Sequence, residues 1–232
     1  MRGMRDWDAL CMSYGIQLIE DCAQSHEAQV DGVGGGAWGA FGAYSFYPTK
    51  NLGAVGDAGA LVTNSHDLAE LARSLRNYGQ SNRYEHPRVG LNSRLDELQA
   101  AILSVRLDRL AGWTARRREI AATYRDQIDN SAVSLLASPI APENHAYHLF
   151  VLVTEHRAEL QAHLAQAGIE SLIHYPIPAH RQPPLGELDR DRAGLSKAEV
   201  HAQQCLSLPC APHLTEDHCS RVIEAVNAFR PR

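Results

Sequence analysis

The 232-residue chain has no apolar run approaching the roughly 18–20 residues needed to cross a bilayer. Its polar opening, MRGMRDWD, also lacks the hydrophobic region of a signal peptide. Both absences argue against a membrane segment and fit a cytoplasmic protein. Five cysteines, Cys11, Cys22, Cys205, Cys210 and Cys219, form no C-x-x-C pair and leave one over. A disulfide scaffold and a structural zinc site are therefore disfavoured, and Cys22 reads as a small buried hydrophobe. No basic excess is available for a phosphate backbone: the formal charge is −5, and Arg116, Arg117 and Arg118 lie on a helical pattern with acidic neighbours. That argues against a nucleic-acid partner. What remains is ordinary globular material, 44% hydrophobic and 21% charged, enough to build a core in one large or two modest domains.

Two apparent motifs lose their meaning in context. His145 and His148 in HAYH have a spacing that on a helix could share a metal. The continuation LFVLV reads as a strand, where residues three apart face opposite ways, so no metal site is expected. The segment VDGVGGGAWGAFG is rich in glycine, but a dinucleotide-binding G-x-G-x-x-G needs a strand before it and a helix after it. Here a second strand, FGAYSF, follows, and the glycines read as a turn that brings backbone close to a ligand or a neighbour.

Residues 5–13 read as a short helix closed by Gly15, followed by the strand IQLIED. After FGAYSF comes GALVT, then a helix over about 67–77 capped by Asn64 or Ser65 and followed by Gly79. Ser93 with Asp96 matches a capping box, and an apolar stripe from Leu95 to Leu110 predicts a helix there, with a second from Trp113 to about Ile128. Beyond Asn130 the pattern becomes a compact α+β unit: strand HLFVLV, a helix over 157–167 closed by Gly168, strand IESLIHY, the loop PIPAHRQPP, and two helices. Ser196 with Glu199 forms a capping box for the first of these helices, and Thr215 caps the second. The domains divide as 1–112 and 113–232.

Asp21 ends the strand LIED, and Lys50 follows FGAYSF in the run FYPTKNLG. A lysine that forms a Schiff base and a carboxylate that keeps a pyridine nitrogen protonated are the two groups pyridoxal phosphate (PLP) needs from a protein. Taken singly, such a lysine is a solvated turn residue and such an aspartate a cap. In open α/β sheets, catalytic groups collect where strands end, and both lie there. Ser45, on the same strand end, suits phosphate because its hydroxyl can donate to an anionic oxygen.

The stretches LIEDCAQSHEA, GAYSFYPTKNLGAVGDAGALVTN, RNYG, GLNSRLDELQAA and IHYPIPAH, in that order, resemble the DegT/DnrJ/EryC1/StrS family of PLP-dependent nucleotide-sugar aminotransferases over almost the whole chain. The resemblance implies an α/β protein of PLP fold type I, with a partial large cofactor-binding domain and a small C-terminal α+β domain. It implies that Asp21 contacts the pyridine nitrogen, Gln24 the phenolic oxygen side and Ser45 the phosphate, and that Lys50 is the Schiff-base lysine. Asn92 resembles an asparagine that reaches the partner subunit's phosphate, which makes a homodimer part of the site; a turn residue is the alternative. His174, Tyr175 and His180 resemble a segment near the substrate, or else a Pro-stiffened loop, and Tyr47 and His26 carry a weaker warrant. Related sugar dehydratases carry histidine where this chain carries Lys50, so the resemblance implies transamination of a nucleotide-linked keto-sugar. The wording tilts towards amination at C3 of a dTDP-3-keto-6-deoxyhexose, with glutamate as donor.

The chain begins twenty residues before Asp21, whereas family members carry a large part of the major domain upstream, including strands of a parallel sheet buried on both faces. The expectation is weak cofactor retention or aggregation. The alternative function is a non-catalytic remnant that acts as an interaction subunit.

Overall fold

A computed structural model describes residues 3–185 and 194–231, in two compact units: residues 3–118 with 139–148, and residues 119–138 with 149–185 and 194–231.

The first unit opens with α1 (Met4–Ser13), which ends where Gly15 turns left-handed at φ +64° and its N–H closes on the Met12 carbonyl. After β1 (Ile19–Asp21), a small hairpin forms between β2 (Gln29–Val30) and β3 (Val33–Gly34). Its turn residues, Asp31 and Gly32, have φ of +52° and +78°, the positive pair that tight hairpins require. The glycine segment thus contains a hairpin as well as the expected turn. β4 (Phe41–Ser45) runs parallel to β1, and β5 (Gly59–Val62) pairs antiparallel on its other side, giving the order β1-β4-β5. The sheet of the described residues is thus mixed, parallel between β1 and β4 and antiparallel between β4 and β5. No helix intervenes between β4 and β5 to carry a parallel return, and β5 is exposed at all four positions.

Next comes α2 (His66–Leu75), capped by Ser65, whose hydroxyl accepts the Leu68 N–H at 3.3 Å. Instead of two helical stretches, one unbroken 31-residue helix, α3 (Glu97–Gln127), covers this region. Gly112 weakens a helix without breaking it, and no proline intervenes. The predicted capping box is absent because Ser93 is engaged elsewhere: its N–H donates to the Arg76 carbonyl and its own carbonyl accepts from Arg76 Nε. Leu52, Ala54, Leu103 and Leu110 form a buried cluster, with Phe46 and Leu95 packed on it.

In the second unit, β6 (Ser134–Leu135), β7 (Phe150–Val153), α4 (Arg157–Gln166), α5 (Ser196–Gln204), β8 (Cys205–Leu208) and α6 (Glu216–Ala228) follow in order. The sheet β6-β7-β8 is antiparallel throughout. The strand expected at IESLIHY reduces to a single bridge, Leu172 with Ser207. The sheet takes CLSL instead, buried at all four residues. IESLIHY carries a charge at Glu170 and runs into Pro176 and Pro178, which cannot donate to a ladder. HAYH is irregular too, with Tyr147 at φ +45°. The core centres on Tyr124, whose ring meets Phe150 edge-on at 5.1 Å and whose hydroxyl donates to the Pro209 carbonyl at 2.9 Å. Thr215 caps α6 as expected.

Candidate active site

Parallel pairing aligns Asp21 with Ala43, two residues before Ser45. Residues two apart on a strand share a face, so Asp21 and Ser45 emerge on one side of the sheet at its carboxyl-terminal edge. The backbone that continues from Ser45 is tied down at once. Tyr47 N–H donates to Ser45 Oγ at 3.3 Å, and Lys50 N–H donates to the Tyr47 carbonyl at 2.8 Å. Beyond the half-buried Lys50, residues Asn51, Leu52, Gly53 and Ala54 are all buried. Asn51 Nδ2 donates to the Ala146 carbonyl at 2.9 Å. Gly53 passes so close to Pro48 that a Cβ there would sit 2.3 Å from its carbonyl oxygen. The lysine therefore stands at the end of an anchored turn beside the sheet edge.

Asp21 is exposed, with Oδ1 accepting the Ala23 N–H at 3.0 Å, and it borders a depression of about 270 Å³ shared with Trp7, Leu18 and Ser25. Gln24 lies three residues on, exposed in the turn after β1, and Tyr47 is exposed on the lysine turn. Asn92 sits elsewhere in the same unit. It lines a separate open cavity of about 1050 Å³ with Tyr44, Arg76 and Arg94, and its Oδ1 accepts from Arg94 Nε at 2.9 Å. His174, Tyr175 and His180 belong to the second unit. His174 Nδ1 is 2.9 Å from Ser207 Oγ, and its ring meets Tyr175 edge-on at 5.3 Å. His180 Nε2 donates to Glu199 at 3.1 Å.

His26, a weak candidate in the sequence, is 3% exposed, its ring edge-on to Tyr44 at 5.2 Å. Burial pulls its pKa down to about 4; the nearby Ser45 backbone opposes this, and the Lys50 charge adds to it. The imidazole is thus held neutral behind the lysine turn. Burial likewise raises the Tyr44 hydroxyl to about 12, with Cys22 and Glu20 adding to the effect.

Sequence reasoning missed Glu20. Its buried carboxylate accepts the N–H groups of Gly36, Trp38 and Gly39 at 2.8–2.9 Å and so folds the glycine turn back onto β1 beside Asp21. Gly39 is required there, because a Cβ would lie 2.3 Å from the Leu18 carbonyl oxygen. Sequence could have offered only one signal, a second acid directly before Asp21 in an otherwise apolar strand.

The donor set fits PLP. A carboxylate and a hydroxyl stand on neighbouring strand ends, a primary amine stands on the turn beyond, and a carboxamide follows the carboxylate, all in one unit.

The model of the DegT/DnrJ/EryC1/StrS aminotransferase family matches residues 1–227. The dTDP-3-amino-3,4,6-trideoxy-alpha-D-glucose transaminase of Streptomyces venezuelae is 43% identical over 232 residues, covering 98% of this chain and 61% of the relative. The dTDP-3-amino-3,6-dideoxy-alpha-D-galactopyranose transaminase of Aneurinibacillus thermoaerophilus is 43% identical over 228 residues, covering 97% and 61%. Among solved structures, S. venezuelae DesV in complex with a ketimine intermediate is similar with a TM-score of 0.91 at 43% identity, covering 98% of this chain and 61% of that one. The chain thus spans about 61% of the length of these relatives.

Proposed function

The chain belongs to the DegT/DnrJ/EryC1/StrS aminotransferase family, with an α/β architecture of PLP fold type I, and we propose that it is a PLP-dependent aminotransferase. It transfers the amino group of an amino acid such as glutamate to a nucleotide-linked keto-sugar, a dTDP-3-keto-6-deoxyhexose. The reading rests on one observation above the others: Lys50 stands on an anchored turn beside the strand ends that carry Asp21 and Ser45.

Bound PLP supplies an electron sink for the carbon next to the substrate nitrogen. The residues of this chain do the rest. Asp21 places a negative charge where the ring nitrogen is to stay protonated, since an opposite charge favours the ionised form. Ser45 Oγ donates to the phosphate, and the Gln24 amide orients the phenolic oxygen. Lys50 Nζ tethers the cofactor at rest and, once released, moves the proton at the substrate carbon. Asn92 completes the phosphate contacts of a second copy, so the working form is a homodimer. Tyr47, His174, Tyr175 and His180 contribute to the sugar side. The reading includes a cytoplasmic location, which suits soluble substrates of this kind. Among the described residues no helix is long and apolar enough to cross a membrane.

The test incubates the full chain with PLP, glutamate and a dTDP-3-keto-6-deoxyhexose and measures 2-oxoglutarate. The expected result is formation that depends on the keto-sugar and falls at least about a thousandfold in Lys50→Ala. Turnover with simple amino acids and no nucleotide sugar, or none with the sugar present, overturns the proposal.

A further inference from the structure

The ladder between β1 and β4 stops one rung short of the lysine turn. Backbone groups alternate sides along a strand. Phe46 N–H faces β5, where it donates to the Ala58 carbonyl at 2.8 Å, and the Ala43 carbonyl faces β1, where it accepts the Cys22 N–H at 2.8 Å. Two residues beyond Ala43, the Ser45 carbonyl points towards the β1 side as well. Continuing the ladder would bring the Gln24 N–H to it, and among the described residues that bond is absent. The chain has already turned away, with Ala23 N–H donating back to Asp21 Oδ1 at 3.0 Å.

His26 occupies the ground that the turn leaves. Its ring lies against the two aromatic residues that flank Ser45, edge-on to Tyr44 at 5.2 Å and tilted to Phe46 at 5.9 Å, with the Ser45 backbone nearby. Both ring nitrogens are buried and make no hydrogen bond. A neutral imidazole carries one N–H donor and one acceptor, and leaving both unpaired in the interior is unfavourable. Between two aromatic rings a phenyl group would serve the packing equally well. The nitrogens therefore need a reason beyond the core, and the groups on the far side of Ser45 supply one. Tyr47 N–H donates to Ser45 Oγ at 3.3 Å, and Lys50 N–H to the Tyr47 carbonyl at 2.8 Å, so the placement of Ser45 is passed directly to Lys50.

We propose that His26 is a positioning residue: its ring N–H is held for the Ser45 carbonyl and closes the vacant rung when PLP is taken up on Lys50, fixing the strand end from which the lysine turn departs. It rests on the reading of Lys50 as the cofactor lysine. A contact that closes only in the loaded form adds to cofactor affinity without adding to the stability of the free chain.

The experiment compares the full chain with His26→Phe, which keeps an aromatic ring and removes both nitrogens. At neutral pH the urea midpoint of His26→Phe is expected to be unchanged or higher, because no hydrogen bond of the free chain is lost. Its affinity for PLP, measured by absorbance titration, falls about five- to tenfold, the range of one hydrogen bond. Hydrogen exchange gives a readout independent of turnover: PLP slows the Tyr47 and Lys50 amides about tenfold in the unaltered chain and less than about twofold in His26→Phe. Affinity within about twofold of the unaltered chain, equal protection in both proteins, or a loss of affinity matched by a lower urea midpoint overturns the inference. Borohydride trapping separates this from the cofactor reading. Label on Lys50 with unchanged affinity in His26→Phe sinks the inference alone, whereas no label on Lys50 in the unaltered chain sinks the cofactor reading and this inference with it.

Discussion

The buried His26 ties stability to pH in a definite direction. Its folded pKa, about 4, lies below the ordinary value of 6.5. Between those values the unfolded chain takes up a proton that the folded chain refuses. Stability therefore falls as pH drops from about 6.5 to about 4, and the full cost is about 3 kcal/mol at the acid end. Urea unfolding of the chain at stepped pH values is expected to show this slope, and His26→Phe to flatten it; an equal slope in both proteins would assign the effect to other groups. At this scale the sequence was most readable where chemistry follows an apolar strand. Asp21, Ser45 and Lys50 announce themselves because a polar residue at the end of a buried run needs a reason. Glu20 and Glu199 did not, because their partners are three turn N–H groups some sixteen to nineteen residues away and a loop eighteen residues away. Such partners carry no local signature.

Between elements, Glu20 is the pin that holds the 36–39 turn to β1. Glu20→Ala orphans three backbone donors and is expected to destabilise the chain by about 2–3 kcal/mol, read from the shift in urea midpoint. A loss below about 0.5 kcal/mol would mean that water replaces the carboxylate freely. In α3, Gly112 lies mid-helix with nothing within 4 Å of an added Cβ. Gly112→Ala should therefore stabilise by about 0.5–1 kcal/mol, again by urea unfolding. No gain would show that the glycine serves something besides helix continuity. The helices were mostly legible from periodicity and caps. The failures share a cause, that tertiary partners overrule local pattern. Ser93 is taken by Arg76, Glu199 by the loop, and the sheet prefers CLSL to IESLIHY. The tight turn of β2 and β3 was hidden inside a run of glycines that reads equally well as plain loop.

For the molecule as a whole, the sheet of the first unit bears no further strand on the outer edges of β1 and β5 among the described residues, and Ile19 and Leu61 are 66% and 59% exposed. Open edges and exposed apolar residues favour association. We expect the chain to sediment as a dimer, and Asn92→Ala to weaken PLP binding about tenfold without dissociating it. A monomer that binds PLP as tightly as the dimer would remove Asn92 from the shared site. The central claim, that Lys50 carries the cofactor, has a direct chemical test, because the sequence contains just one other lysine, Lys197. Borohydride reduction of the PLP-treated chain, followed by peptide mass mapping, is predicted to place the reduced cofactor on Lys50 and leave Lys197 unmodified. Label on Lys197, on both lysines equally, or on neither would contradict it.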